Sequence, residues 1–559
     1  MHYIPSFKKF QIAVPDLLVV AVCIVSFIFS VIESKLNTDA HHWGLMYANA
    51  IDLVRGSIPF KEIFIQYGIL TTIIQGFSLV IFGNKAISVG IITGLFYSCS
   101  LYISYLLWQK IISKNRASFS TILMFLLQGY IVYPWSNYFS YTFLLICLLL
   151  LSNGRSKNSR ILVYCVAGIF FALNVLSRQT AFGPTIVPIY LYFLLELVES
   201  SKEERKTFIK KIVLFHLGVM AIFAIFFVYL YHTSSLQDWY LQNFTILNLY
   251  EDSSGGVKNL IFGFLKKMFI SPILTFDIRG IIYILNLCNS IFWIQAILAK
   301  VFRKNLPVTN REKVIFLLAS ISLFGYAQAL YKLSVFRLQN SSSIGLGLLT
   351  LSGFEMTSKL LKWQRYIILG IICAMSVYLS GTLGGLKFSS VYYNWPKYLF
   401  SGRLQQPENI DIFQGKLFNT RVKSYYESLV KEIDSYKSSV PYIINLTRDS
   451  YILYLSNNFR KVQSSPFYDI YDRRLNDMIL LDEQQKIDNL IARENAIYIA
   501  HLRKIEDFRS IPSNYCIVYQ AQKPREVPFM PKDIFLVVPR KIAKDCLTIN
   551  IKSSKDKGV

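Results

Sequence analysis

Long apolar runs broken by short polar connections fill the first 386 residues; beyond that point the runs shorten and charge rises. The long runs cover 14–33, 86–108, 118–134, 139–152, 161–177, 181–198, 213–231, 280–299, 314–331, 343–357 and 366–386. An α-helix needs roughly 20 apolar residues to cross the hydrocarbon of a bilayer, so the pattern predicts about 11 transmembrane helices. A further stretch, "GILTTIIQGFSLVIFG" at 68–83, has 16 residues, among them Gln75 and three glycines. Its length and polarity predict a helix lying in the membrane interface.

Charge fixes the orientation. With 68–83 left in the interface, one side of the membrane receives 1–13, 109–117, 153–160, 199–212, 300–313 and 358–365, which together hold 21 Lys and Arg. The opposite connections hold about 11 in nearly twice the length, and "YPWSNYFS" at 133–140 holds none. If 68–83 crossed, every later basic loop would be flipped outward, against the positive-inside rule. The expectation is therefore a cytoplasmic N-terminus, a first outer loop over 34–85 and an outer C-terminal tail. The run after Lys8 and Lys9 has no small-residue cleavage site behind it and reads as a retained helix.

The tail, 387–559, reads differently. "RVKSYYESLVKEIDSY" and "DEQQKIDNLIAREN" have helical spacing, while "VPYIINL", "AIYIAHL", "NYCIVYQ" and "IFLVVP" look like short buried strands. The fold class is thus a polytopic α-helical membrane protein, residues 1–386, followed by a soluble α/β domain, residues 387–559.

Composition agrees. Hydrophobic residues make up 53%, charged ones only 17%, and mean hydropathy is +0.39; a soluble chain carries about a quarter charged residues. The net charge of +25 follows from basic cytoplasmic loops and does not call for nucleic acid. Of eight cysteines, six lie in apolar runs as small hydrophobes; only Cys516 and Cys546 lie in the tail, where an oxidising compartment would let them pair.

The apolar helices carry almost no ionisable groups, with Glu33, Glu196, His216 and Glu355 near helix ends. A carrier or pump places charge near the bilayer midplane, so a transporter or flippase is disfavoured. Chemistry belongs in the outer loops. In "NTDAHHWGLMYANAIDLVRGSIPFKEIFIQYG", 37–68, Asp39 suits the N-cap of a helix starting at Ala40. His41 and His42 point about 100° apart on a helix, which suits a phosphate or sugar contact better than one shared metal. Asp52 and Glu62 read as surface carboxylates. Arg178 in "LSRQTAFGP" reads either as an interfacial snorkelling side chain or as a ligand for substrate. Arg337, set among Gln339, Asn340 and three serines with Lys332 nearby, suits a phosphate.

At this point the first loop resembles the GT-C glycosyltransferases, and among them the bacterial branch that uses polyprenyl-phosphate sugars to modify lipopolysaccharide and related glycans. "DAHHWG", "AIDLVRGSIPF" and "QYGILTT" match that branch in order, best over 14–110. The resemblance implies an inner-membrane enzyme that moves a sugar from a polyprenyl-phosphate carrier to an envelope glycan or lipid such as O-antigen, with inversion. It implies Asp39 as the carboxylate that activates the acceptor hydroxyl, with His41, His42, Gln66, Tyr67, Asn137, Arg178, Lys332 and Arg337 around the substrates. Three departures stand out: Ala40 replaces the second acid of the usual Asp-Glu pair, Trp43 replaces a later one, and the second outer loop offers only Asn137. No cofactor is implied with certainty, and a divalent metal stays an alternative that these replacements disfavour. The competing readings are an O-antigen polymerase or ligase, which would carry an arginine-rich outer loop that 232–279 lacks, a transporter, and a non-enzymatic scaffold displaying the tail.

Overall fold

The computed structural model describes residues 14–65, 67–128, 133–153, 161–245, 256–270, 274, 278–303, 307–330, 335–356, 370, 403–447, 449–461, 481–501, 511–527 and 533–547. The expected span 366–386, Gln66 and Lys332 lie outside the described residues.

The apolar runs fold as helices: α1 (Val14–Leu36), α2 (His42–Val54), α3 (Ile69–Phe82), α4 (Ala86–Trp108), α5 (Lys114–Gln128), α6 (Ser136–Asn153), α7 (Leu162–Ser177), α8 (Phe182–Glu199) and α9 (Lys202–His232). Further helices cover Ile278–Arg303, Asn310–Gly325 and Leu346–Met356. Six helices among the described residues are long and apolar enough to cross a membrane, and α3, α7 and Ser343–Met356 are shorter apolar ones. At 1.5 Å per residue, the 14 residues of α3 reach about 21 Å, short of the ~30 Å hydrocarbon layer. The long helices leave apolar rows bare: Leu17, Ile24 and Ile28 on α1, Val213, Met220 and Val228 on α9. Apolar rows of that length fit a lipid surface.

Helices start where the sequence supplies caps. Ser201 and Glu204 form a reciprocal capping box at α9, and Thr309 and Glu312 form another at Asn310–Gly325. Inside the bundle α7 and α9 approach backbone to backbone. A Cβ on Gly168 would lie 1.9 Å from the Phe215 carbonyl oxygen, and one on Gly218 would lie 2.0 Å from that of Cys165. Only glycine permits this crossing.

The C-terminal part holds a five-stranded mixed sheet in the order β4-β3-β5-β7-β6, built from β3 (Tyr442–Leu446), β4 (Arg460–Lys461), β5 (Ala496–His501), β6 (Tyr515–Gln522) and β7 (Asp533–Pro539). β3 runs parallel to β4 and β5, while β7 is antiparallel to β5 and β6. A separate two-stranded ribbon pairs β1 (Leu404–Gln405) with β2 (Phe418–Asn419). The four stretches expected as strands form β3, β5, β6 and β7, and the two amphipathic stretches form helices Thr420–Asp434 and Leu481–Ala492. Cys516 and Cys546 are disulfide-bonded.

This sheet-bearing part sits directly on α2. Val422, Tyr426, Tyr451 and Tyr454 share one apolar core with Trp43, Tyr47 and Ile51. Asp52 corrects the sequence reading: it is buried, not a surface carboxylate. Its carboxylate accepts from Lys461 and, at 2.9 Å, from the Tyr454 hydroxyl, because the sheet edge covers the end of α2. Burial pushes the Asp52 carboxyl above its ordinary range and Lys461 pulls it back. Glu62 is exposed, as expected. Replacing Lys461 with Met strands the buried carboxylate and should cost about 3 kcal/mol. A thermal-unfolding comparison checks this, with the double variant D52N/K461M recovering most of the loss.

Candidate active site

The site begins with the break between α1 and α2. α1 ends at Leu36, and the next five residues turn the chain before α2 starts at His42, two residues later than the sequence spacing predicts. Asp39 is completely buried. One carboxylate oxygen accepts the backbone N–H groups of His41 (3.0 Å) and His42 (2.9 Å), and the other meets His42 Nδ1 at 2.6 Å. Asp39 therefore does cap a helix, and it holds the His42 ring as well. Its own N–H donates to Asn37 Oδ1 at 2.7 Å, and the Asn37 amide donates to Glu33 at 2.7 Å. The positive end of α2 favours an anion here.

His42 carries the site outward along an aromatic wall. Its ring lies 5.1 Å from Trp135 and 5.5 Å from Tyr133, and Trp135 lies 4.9 Å from Tyr67. His41 packs edge-on against His42 at 4.4 Å. The Arg178 guanidinium stands 6.0 Å above the Tyr67 ring. Tyr67 is placed by Gly68, whose N–H donates to Ser177 (3.1 Å) and where a Cβ would lie 2.0 Å from the Leu176 carbonyl oxygen. Gln179 adds a hydrogen bond to the Tyr67 carbonyl at 2.9 Å.

Arg178 ends the wall. It is turned inward and buried, which overturns the snorkelling alternative; its Nη1 donates to Asn137 (2.6 Å) and Ser136 (3.2 Å), both at the start of α6. Burial and the nearby Arg337 charge together push the Arg178 guanidinium down to about 10, with Tyr67 pulling the other way. Arg337, on the short helix Val335–Gln339, is thus a second cation beside the first. Among the described residues, Arg178 Nε and Asn137 Nδ2 are buried donors that meet no acceptor. Such groups cost free energy while unfilled, and this pair fits an anionic head.

The structure thus brings Asp39, His41, His42, Tyr67, Asn137 and Arg178 into one continuous cluster, with Arg337 acting on Arg178 through its charge. Gln66 and Lys332 fall outside the described residues. No group of three or more His, Cys, Asp or Glu side chains suited to a metal occurs among the described residues. Sequence reasoning missed Trp135 and Tyr133, which stand in the uncharged "YPWSNYFS" and carry no motif. It also missed Asp449 and Lys416, single charges in a charged tail. Asp449 is buried and accepts from the Tyr426 hydroxyl and the Tyr451 N–H, both at 2.9 Å. Burial pushes its carboxyl up to about 7, with a contribution from Asp39. Beside the cluster, beyond Gly68 and Ser177, an apolar cleft of about 340 Å³ opens between α3, α7 and α9, lined by Ile69, Ile73, Leu176 and Phe226.

No protein-family model matches the sequence, and no curated protein matches it. Solved structures do. The aminoarabinose transferase ArnT from Cupriavidus metallidurans, bound to undecaprenyl phosphate, matches with a TM-score of 0.52 over 95% of this chain and 99% of that one, at 10% identity. ArnT in the apo state matches at a TM-score of 0.48 and 11% identity, over 93% and 97% of the two chains. The Archaeoglobus fulgidus oligosaccharyltransferase in its apo form matches at 0.45 and 12%, over 90% and 70%. At 10% identity what this chain and the first ArnT structure have in common is their architecture, over nearly the full length of both: the chain has the GT-C fold.

Proposed function

We propose that this protein is a membrane glycosyltransferase that moves a sugar from a polyprenyl-phosphate carrier to an envelope glycan or lipid, O-antigen or lipopolysaccharide being the acceptor class implied by the first loop. One observation carries the reading: the buried Asp39 with its half-buried partner His42, and a buried Arg178–Asn137 donor set, stand at the two ends of a single aromatic wall. That spacing lets one substrate ring lie on Trp135 and Tyr67 with its reacting carbon between a proton acceptor and an anion holder.

The roles follow from the geometry. The acceptor hydroxyl approaches the Asp39–His42 pair, which takes its proton as the oxygen bonds to the anomeric carbon. The bond from that carbon to the carrier phosphate breaks, and both electrons go to the phosphate oxygen. Arg178 and Arg337 steady the released polyprenyl phosphate, whose oxygens would fill the waiting donors Arg178 Nε and Asn137 Nδ2. A phosphate is already a good leaving group, so no separate acid is needed. Attack opposite the phosphate inverts the anomeric centre, whether the sugar is a hexose or a pentose. The apolar cleft against α3 and α9 would take the first isoprene units of the carrier.

Placement of the site on the outer face of a bacterial inner membrane is supported by the excess of Lys and Arg in the opposite loops and by the Cys516–Cys546 disulfide. In this reading residues 1–386 form the membrane module and 387–559 the periplasmic domain.

Two measurements test the proposal. In membranes supplied with radiolabelled undecaprenyl-phosphoryl sugars, Asp39→Asn should lower transfer by at least about 100-fold at equal expression; equal transfer by both proteins would leave Asp39 as a helix cap alone. Arg178→Met should weaken binding of undecaprenyl phosphate itself by about 10- to 100-fold, read by a lipid-dependent thermal shift. Unchanged binding would remove Arg178 from the phosphate site.

A further inference from the structure

A fully buried lysine lies behind the Asp39 loop, and it comes from the other end of the chain. Lys416, just ahead of β2, is 0% exposed. Its ammonium donates to the Ser34 carbonyl at 3.1 Å and to the Asn37 carbonyl at 2.7 Å, and the next residue's N–H donates to the Lys35 carbonyl at 2.8 Å. Its charge also lies 5.5 Å from the Trp43 ring and 5.8 Å from that of Phe418. The two carbonyls belong to the C-terminal end of α1 and to the loop that carries Asp39, where a cation is favoured by the helix dipole.

A brace alone does not need a charge. Among the described residues Lys416 forms no ion pair, and its carboxylate partners, Glu33 and Asp39, act on it at longer range. A neutral donor such as a glutamine amide could reach the Asn37 carbonyl without the cost of desolvating an ammonium group. What the ammonium adds is a positive field behind Asp39, and a rigid path to it: Lys416 fixes the Asn37 carbonyl, and Asn37 Oδ1 in turn accepts the Asp39 N–H.

We propose that Lys416, supplied by the sheet-bearing C-terminal part, is a positioning residue that holds the Asp39 loop in place and keeps the Asp39 carboxylate ionised for proton removal. The inference rests on Asp39 acting as proton acceptor. It makes the C-terminal part a component of the active site rather than an appended module. Burial pushes the Lys416 ammonium down to about 7, with Glu33 and Asp39 opposing the loss of its proton. The charge is therefore present on the acid side of neutrality, where a carboxylate base needs it.

The other groups facing Asp39 are Glu33 on α1, His41 and His42 at the start of α2, Tyr133 ahead of α6, and Asp449 with Tyr451 from the C-terminal part. Of these only Glu33 also interacts with the Lys416 charge, so the pH profile reads the lysine's field on Asp39 together with Glu33.

The test uses full-length protein in membranes, radiolabelled undecaprenyl-phosphoryl glucose, galactose and mannose as donors, and four proteins: wild type, D39N, K416M and K416Q. Gln at 416 retains a donor for the Asn37 carbonyl without the charge, so it is read even where the Met variant fails to accumulate. Expected is transfer by wild type, none by D39N, and an acid limb of the rate profile moved up by about one pH unit in the Lys416 variants. Binding of undecaprenyl phosphate should stay within twofold of wild type. A limb that does not move in K416Q, or failure of both variants to accumulate, makes Lys416 a structural brace and overturns the inference while the transferase reading stands. Absence of transfer by wild type from every donor overturns both.

Discussion

A carboxylate removed completely from water dictates much of what surrounds it. Asp39 has no solvent of its own, and an unsatisfied buried charge costs several kcal/mol. Two backbone N–H groups and the His42 imidazole satisfy it. Those donors exist only if α2 starts at His42 and α1 has ended by Leu36. The polar loop beside the first membrane helix is thus the turn that lets a helix N-terminus face a buried anion. His42, once held through Nδ1, has its ring direction fixed, and that direction sets where Trp135, Tyr133 and Tyr67 stack.

The same constraint explains why α2 is buried almost along its whole length. Helices of water-soluble proteins keep one polar face; ten of the thirteen residues of α2 are buried. One side packs on the membrane bundle, where Trp43 presses close to Gly90. The other side receives the C-terminal part at successive turns. Lys416 reaches the loop before it, Ser450 crowds Gly44, Tyr451 and Tyr454 close on Tyr47, and Lys461 reaches Asp52 near its end. α2 is a spine between two layers, and its position is fixed from both.

Much of this was legible in the sequence where physics is local. Period and length located the helices, because each bilayer helix satisfies its own backbone. Alternation and short apolar runs located β3, β5, β6 and β7. The first-loop motif pointed to Asp39 and His42, which touch each other across only three residues. What sequence left hidden is what depends on distant pairing. Asp52 looked like a surface acid because nothing nearby covers it; Lys461, more than 400 residues later, does. Arg178 sits at a helix end, where snorkelling is the usual outcome, and only the packing of α6 turns it toward Asn137. Lys416 is one lysine in a basic chain, and its burial is a property of docking rather than of any local pattern.

The distribution of charge across the site then acquires a single logic. At one end the carboxylate is fully answered by donors; at the other, Arg178 feels the charge of a second cation, Arg337, while Arg178 Nε and Asn137 Nδ2 stay unfilled. A protein that only needed stability would have answered both ends or neither. Leaving donors empty, on the proposed reading, raises the free energy of the unliganded site, and a phosphate that enters recovers it. On the proposed reading that recovery is largest as the sugar departs, since negative charge then concentrates on the phosphate oxygens. The aromatic wall keeps the two ends apart by the width of one ring system, so the satisfied carboxylate cannot simply neutralise the unsatisfied cations. On that reading, separation of the two charges by Trp135 and Tyr67 is what leaves room for a sugar ring between them.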